Sequence, residues 1–342
     1  MKSSLVKMTL LLAIATVAFA GPRSTVGNPI QRGRLTIFPV FGPASGIDSR
    51  YITLDEAMSQ GLVTVGELGS MAPRMVRPQT GVLRPPMPSA SVNELALVNR
   101  SDRPLILLAG EIVSGGKQDR VVARDRVVPP HSDPVPLGVF CVEPGRWTGL
   151  TMEFSASHLI AHPDLRKKAI VENDQQKVWD EVAVSNRNME ANVLMDSAAA
   201  PAFRAQVGTS YAKTASAGAI QQTIAESASA ILPQIPDDAA GVIVAVDGHI
   251  VWADVFPSAA LFRRYRAKLM QSYVVQSYNG GGAYRPVTVD DAVSFLRELG
   301  GHENIDVEPG LYRLVRSETG GFITYELEDA AGARLHFARM TR

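Results

Sequence analysis

Val242-Ile243-Val244-Ala245-Val246-Asp247-Gly248-His249-Ile250-Val251-Trp252-Ala253-Asp254-Val255-Phe256 is the stretch that decides the fold. Two apolar runs flank an Asp-Gly pair, the strongest short-range signal for a tight hairpin. A hairpin is antiparallel by construction, so this part of the chain does not belong to a doubly wound parallel sheet. Before it, from Pro163 to Leu232, the period changes. Leu165, Ala169, Gln176, Trp179 and Val182 recur at helical spacing, with Pro163 near a first helical position. Ile220, Ile224, Ala228 and Ile231 repeat the pattern in a helix that ends at Pro233. After the hairpin, Phe262, Tyr265, Leu269 and Tyr273 mark a further amphipathic helix, and Val289 to Leu299 a shorter one. Three strands near Leu311–Arg316, Phe322–Leu327 and Arg334–Met340, joined by Gly-containing turns, read as a meander.

The first half reads as sheet. Leu35 to Phe41 is a strand in which Pro39 suggests an edge or a bulge. Thr53-Leu54-Asp55-Glu56 is a capping box, and Gly61 fits the left-handed residue that ends a short helix. Leu62 to Val65 follows as a strand, and Pro73 to Pro88 reads as a long proline-rich loop. The runs Val92–Val98, Leu105–Ala109, Val121–Val128 and Val135–Val142 complete an antiparallel set. Strands early and late around a helical middle give an α+β fold: a largely antiparallel, sandwich-like sheet with a C-terminal β-meander. We expect one large domain over residues 34–342, β-rich to 150, helical over 151–236 and mixed thereafter.

The composition excludes several functions. Thirty-four basic residues balance 34 acidic ones, so no global positive field would hold a nucleic-acid backbone. The single cysteine, Cys141, excludes an intramolecular disulfide and a cysteine-rich zinc site. At the start, Lys2 and Lys7 precede an apolar run from Met8 to Phe19 that closes on Ala18-Phe19-Ala20. That is the pattern of a cleavable signal peptide over residues 1–20, too short to span a bilayer comfortably. Residues 21–33 read as a disordered lead-in. The expectation is export to the periplasm or beyond, with no transmembrane helix in the mature chain.

The segment richest in chemistry is Gly110-Glu111-Ile112-Val113-Ser114-Gly115-Gly116-Lys117-Gln118-Asp119-Arg120. It fails as a P-loop, because the glycine spacing is off by one and Gln118 stands where a hydroxyl is needed. A Gly-Gly loop followed by a cation can still cradle an anion through backbone amides. Period two then places Gln118, Arg120, Arg124 and Arg126 on one strand face, which calls for partner carboxylates or an anionic ligand. In Glu143-Pro144-Gly145-Arg146-Trp147 the Pro-Gly centre signals a type II turn that brings Glu143 and Arg146 together. Trp147 either anchors that turn on the core or stacks on a flat ligand. Cys141 sits in an apolar strand and reads as a buried thiol. His158 and His162 have the spacing of a helical metal pair, but Pro163 follows at once, so they read as helix-entry residues and no metal site is expected. Asn279-Gly280-Gly281-Gly282 lacks the strand-to-helix setting of a dinucleotide fingerprint.

The order of these motifs resembles one prokaryotic family. Tyr51-Ile52-Thr53-Leu54-Asp55-Glu56-Ala57 with Val63-Thr64-Val65, then Val92-Asn93-Glu94-Leu95, Asn99-Arg100-Ser101-Asp102, Gly110-Glu111, Lys117-Gln118-Asp119-Arg120 and Cys141 to Trp147 carry the resemblance. Val178-Trp179, Phe256, Leu269, Ser272-Tyr273 and Leu335-His336-Phe337 continue it. The family is the ADP-ribosylglycohydrolase- and rhodanese-phosphatase-associated domain family. The resemblance covers nearly the whole mature chain and implies a link to NAD or ADP-ribose chemistry, without assigning a reaction or a catalytic residue.

Two readings stand. In one, an exported protein binds an anionic small molecule, bearing phosphate or carboxylate, or an envelope partner. Lys117, Gln118, Asp119, Arg120, Arg124, Arg146 and Trp147 would form that site, with no cofactor. In the other, a hydrolase acts on an ADP-ribose-related or phosphorylated substrate with Glu111 or Glu143 as acid/base. A short Gly115-Gly116 loop between the Leu105–Ala109 and Arg120–Val128 strands should place Lys117 and Arg120 within reach of Glu111.

Overall fold

The computed structural model describes residues 24–42, 48–67, 93–146, 151, 153–194, 200–297 and 300–342. The expected signal peptide, the loop from Pro73 to Pro88 and Trp147 lie outside these residues. In chain order the elements begin with β1 (Thr25–Val26), β2 (Ile30–Arg32), β3 (Leu35–Phe41), β4 (Ile52–Thr53), α1 (Leu54–Ser59), β5 (Val63–Glu67) and β6 (Glu94–Asn99). Then come β7 (Leu105–Leu107), β8 (Glu111–Gly115), β9 (Arg120–Val122), β10 (Arg126–Val128), β11 (Val135–Cys141) and β12 (Glu153–Ile160). The helical middle is α2 (Pro163–Lys167), α3 (Gln175–Leu194), α4 (Ala200–Val207), α5 (Tyr211–Ala215) and α6 (Gly218–Ile231). The chain ends with β13 (Gly241–Val246), β14 (His249–Val255), α7 (Ala259–Tyr278), α8 (Val289–Arg297), β15 (His302–Glu308), β16 (Tyr312–Glu318), β17 (Phe322–Asp329) and β18 (Arg334–Thr341).

The architecture is α+β and almost entirely antiparallel; among the described pairs only β4 and β7 run parallel. The early strands close on themselves as a six-stranded barrel in the order β11-β6-β5-β12-β8-β9. Its core holds Val65, Leu95, Leu97, Val113, Val122 and Val139. The second sheet, β1-β3-β13-β14-β18-β17-β16-β15 with β2 beside β3, has the deciding hairpin at its middle. Asp247 and Gly248 adopt φ of 52° and 79°, as a tight primed turn requires, and Val246 pairs with His249. Helix α7 packs against α3, α6, β12 and β13, so its buried Phe262, Tyr265, Leu269 and Tyr273 fill the space between barrel and sheet. Among the described residues no helix is long and apolar enough to cross a membrane.

Several expectations are corrected. The stretch read as a disordered lead-in adds two short strands to β3, and Ile30 enters the core. Pro39 sits where β1 and β2 leave a gap, which is where a missing amide costs least. The helical run through Leu165 and Val182 is interrupted by Asn173 at φ 50°, after which the Asp174 carboxylate accepts from Gln176 N and Lys177 N and starts α3. Strands β12 and β15 were not foreseen; every residue of β15 is exposed, so it carries no apolar alternation to read. The run from Arg120 to Val128 is two strands in two sheets: β9 completes the barrel, while β10 pairs with β7.

A buried ionic cluster ties these layers together. Arg166 on α2 makes a bidentate pair with Asp254 on β14 at 2.7 and 2.9 Å, and neither side chain has any exposure. The guanidinium also donates from Nε to Ala109 O at 3.1 Å and lies 4.3 Å over the Trp252 ring. His336 on β18 bridges Asp254 at 3.1 Å and Asp125 at 2.5 Å. Tyr273 donates its hydroxyl to Asp254, and the Ala109 amide donates to Asp125 at 2.6 Å. Burial opposes ionisation of Asp254, but Arg166 and His336 outweigh it and hold the carboxyl far below its usual range. Burial likewise disfavours imidazolium at His336, yet Asp125 and Asp254 raise its pKa from 6.5 to about 9.

Because that pKa is higher in the folded state, the proton stabilises the fold. The contribution is complete below the unfolded value of 6.5 and is lost as pH rises through about 9. It amounts to about 3 kcal/mol. Urea unfolding of the parent chain should therefore weaken between about pH 6.5 and 9.5, and His336→Gln should remove most of that slope. A parent midpoint unchanged over this window would show that His336 is neutral in the fold.

Candidate anion-binding cleft

The site is built where β8 runs out of the barrel. Gly115 and Gly116 have φ of 134° and 50°, and both press against β12. A Cβ on Gly115 would sit 2.8 Å from Glu153 O, and one on Gly116 would sit 2.3 Å from the Phe154 ring. Only glycine passes there. The loop is pinned from below: Lys117 N donates to Glu67 at 3.2 Å, and Gly115 N to Asp119 at 3.2 Å. Ser210, the residue before α5, donates to the other Asp119 oxygen at 2.6 Å.

The second wall is the turn Glu143-Pro144-Gly145-Arg146, with Gly145 at φ 88°. Arg146 pairs with Glu143 at 2.6 Å, as the turn geometry anticipates, and donates to Gly116 O at 3.2 Å. Lys213 on α5 reaches the other Glu143 oxygen at 3.0 Å, and Asp119 N donates to the carboxylate at 3.3 Å. Gln118 holds the same turn through Glu143 O at 2.9 Å. Burial would push the Glu143 pKa up; the hydrogen bonds from Arg146 and Lys213 outweigh it and keep the group ionised. Gly115, Gly116, Asp119, Arg146, Lys213 and Ser155 line one open cleft of about 1040 Å³. Arg146 and Lys213 are 26% and 49% exposed, while Glu143 beneath them is 3% exposed. An ammonium has three donors, and Glu143 takes one of those on Lys213.

The remaining expected residues lie elsewhere. Glu111 does not meet Lys117 or Arg120. Its carboxylate takes the Lys268 ammonium at 2.5 Å and the Leu108 amide at 2.7 Å. Lys268 also donates to Asp55 at 2.7 Å. Burial raises the Glu111 pKa, with Asp55 adding to it against Lys268. Lys268 stays cationic because its two carboxylates outweigh its burial. Glu111 and Glu143 thus take their hydrogen bonds from different elements, Lys268 and the Leu108 amide for the one and Arg146, Lys213 and the Asp119 amide for the other. Arg120 is 1% exposed and donates to Gln118 O at 2.9 Å, with Glu67 at 3.9 Å. Arg124 pairs with Asp306 on β15, and Arg126 reaches Pro136 O. The single arginine face expected from period two does not exist, because the strand breaks between Arg120 and Arg126.

Cys141 is buried, which pushes its thiol pKa up and leaves it inert as a nucleophile. His158 lies on β12 at φ 59°, while His162 precedes Pro163 at the start of α2, so they share no helix face. Lys213 and Ser210 were missed by sequence reasoning; Lys213 lies in the five-residue helix α5 and Ser210 caps it, and so short a helix leaves no apolar period to read.

The family model for the ARG and Rhodanese-Phosphatase-superfamily-associated Protein domain, ARPP-1, matches residues 23–338. The chain belongs to the ARPP-1 family. No curated protein and no solved structure matches it. The matched span contains every residue named above in the cleft and in the buried cluster.

Arg120 provides a test of how the loop is supported. Arg120→Ala should cost about 3 kcal/mol, because it removes a guanidinium facing buried Glu67 and leaves a hole in the barrel wall. A loss below about 1 kcal/mol in urea unfolding, the range of exposed pairs, would contradict this support.

Proposed function

We propose that this ARPP-1 chain binds a small anionic ligand, bearing phosphate or carboxylate, in the cleft between the Gly115-Gly116 loop and α5. The observation that supports it most is the pairing of two partly exposed cations, Arg146 and Lys213, over a buried and ionised Glu143. Glu143 fixes both cations at the cleft wall, so less rotamer entropy is lost when an anion docks. Lys213 has donors to spare, and Ser155 adds a hydroxyl to the lining. In this reading Glu143 is an anchor for charge and not a general acid, since a carboxyl held below its usual pKa has no proton to give near neutrality. The proposal includes export of the mature chain from the cytoplasm, which the basic start, the apolar core and Ala18-Phe19-Ala20 support.

Thermal shifts with inorganic phosphate, ADP-ribose, NAD, phosphosugars and simple carboxylates test the ligand class. At least one should raise the melting temperature of the parent chain, since a ligand that binds only the folded form stabilises it. Lys213→Gln retains a donor for Glu143, so it should lower the unliganded melting temperature only slightly and weaken that ligand about tenfold, the value of one charge-assisted hydrogen bond. A panel without any shift, or a shift undiminished in Lys213→Gln, would overturn the proposal. Mass spectrometry of protein recovered from its native host should find the chain starting at Gly21; an intact Met1 removes the export reading.

A further inference from the structure

Among the described residues, three side chains able to ligate a metal come together outside the cleft. His162 at the start of α2, Asp164 on α2 and Glu181 on α3 each offer a ligand atom, and these atoms lie within 4.8 Å of one another. His162 has no exposure, and its Nε2 is 3.0 Å from Glu181. Its other nitrogen, Nδ1, lies 3.3 Å from the Tyr211 hydroxyl, which fixes the ring's orientation. Amides hold both carboxylates, at Oδ2 of Asp164 and at the same Oε1 of Glu181 that faces His162. Gln276 donates to Asp164 at 2.7 Å, and Asn279 donates to both Asp164 and Glu181 at 3.1 Å. A histidine with a hydrogen bond behind it and carboxylates oriented by amides is the arrangement that outer-shell residues give to metal ligands.

Two independent features point to a cation. Among the described residues no lysine or arginine pairs with Asp164 or Glu181, although one amide bridges the two carboxylates. This contrasts with Glu111, Glu143 and Asp254, each of which has a lysine or arginine at contact distance. Second, Ser185 is fully buried, and its Oγ has no hydrogen-bond partner. It lies four residues after Glu181 and three before Asn188, and Asn188 donates to Asn279 at 2.9 Å. Residues at these spacings share one helix face, with side chains tilted toward the N-terminus, so Ser185 lies on the face of α3 that carries Glu181 and Asn188 and meets Asn279.

We infer that His162, Asp164 and Glu181 form a site for one divalent transition-metal cation, of the zinc or manganese class. One imidazole and two carboxylates suit such ions, whereas calcium takes an all-oxygen set of six to eight ligands. Three protein ligands leave a coordination position open for water. Metal–ligand bonds of about 2.1 Å put the ligand atoms of a tetrahedral site about 3.4 Å apart, so a cation would draw the three groups slightly inward. The Ser185 hydroxyl then gains a partner in the coordinated water.

The test uses the full chain, stripped with a chelator and dialysed, and titrated with Co(II) as a spectroscopic probe. The expected result is about one equivalent bound, with visible d–d bands of a low-symmetry nitrogen–oxygen site, displaced by Zn(II). Glu181→Gln and Asp164→Asn keep side-chain size and should each weaken Co(II) at least about tenfold, while circular dichroism without metal stays that of the parent. Absence of the bands in the parent chain overturns the inference. So do bands of unchanged strength in both variants, which would place the metal on other histidines. If one variant misfolds, the other decides. Because Lys213 is not a ligand, Lys213→Gln should bind Co(II) as the parent does, which separates this result from that of the anion cleft.

Discussion

The Arg166–Asp254 pair is the interaction on which the rest of the structure depends. Taking two charges fully out of water costs several kcal/mol per ion, and attraction between them repays it only when every remaining polar atom is satisfied. Here they are satisfied by elements from every layer. Asp254 comes from the central sheet, His336 from the next strand, Tyr273 from α7, Arg166 from α2, and Asp125 and the Ala109 carbonyl from the links that join barrel strands β9 and β8 to β10 and β7 of the small sheet. Two positive and two negative groups balance. The cluster is thus a junction at which barrel, helices and sheet have one permitted arrangement, because any slip leaves a buried charge without its partner.

That junction sets the path of the chain toward the cleft. Arg166 occupies the space a side chain at position 110 would need; a Cβ there would lie 2.6 Å from its Cγ. Gly110 therefore turns with φ of 95°. The turn commits Glu111 to Lys268 on α7 and starts β8 against β9 and β12. Five residues later the same strand ends at Gly115, which with the buried Gly116 after it lines the cleft. The position of the anion loop is a consequence of where the buried guanidinium lies.

What the sequence made legible was local. The Asp247-Gly248 hairpin, the Thr53–Glu56 capping box and the Glu143–Arg146 turn each depend on four or fewer consecutive residues, and each is present. What it hid was long-range. Glu111's partner is 157 residues away, and Glu143's second cation is 70 residues away on a helix without a motif. Strand alternation misled at Arg120–Val128 because nothing in the pattern marks Asp125 as a residue drawn inward by His336 and the Ala109 amide. Buried charge partners obey geometry set by the whole fold, and no local period encodes them.

Helix α5 shows why the two polar sites belong to one structural unit. Ser210 caps it by accepting from Lys213 N and donates its hydroxyl to Asp119 in the cleft. The next residue, Tyr211, accepts the His162 amide on its hydroxyl and stacks on the imidazole ring at 5.6 Å. Lys213, one residue further but one, carries the cleft's most exposed cation. A helix of five residues has little stability of its own and keeps its place through tertiary contacts. Asp119 on one side and His162 on the other supply those contacts, so a displacement of α5 would loosen the anion cleft and the histidine cluster together.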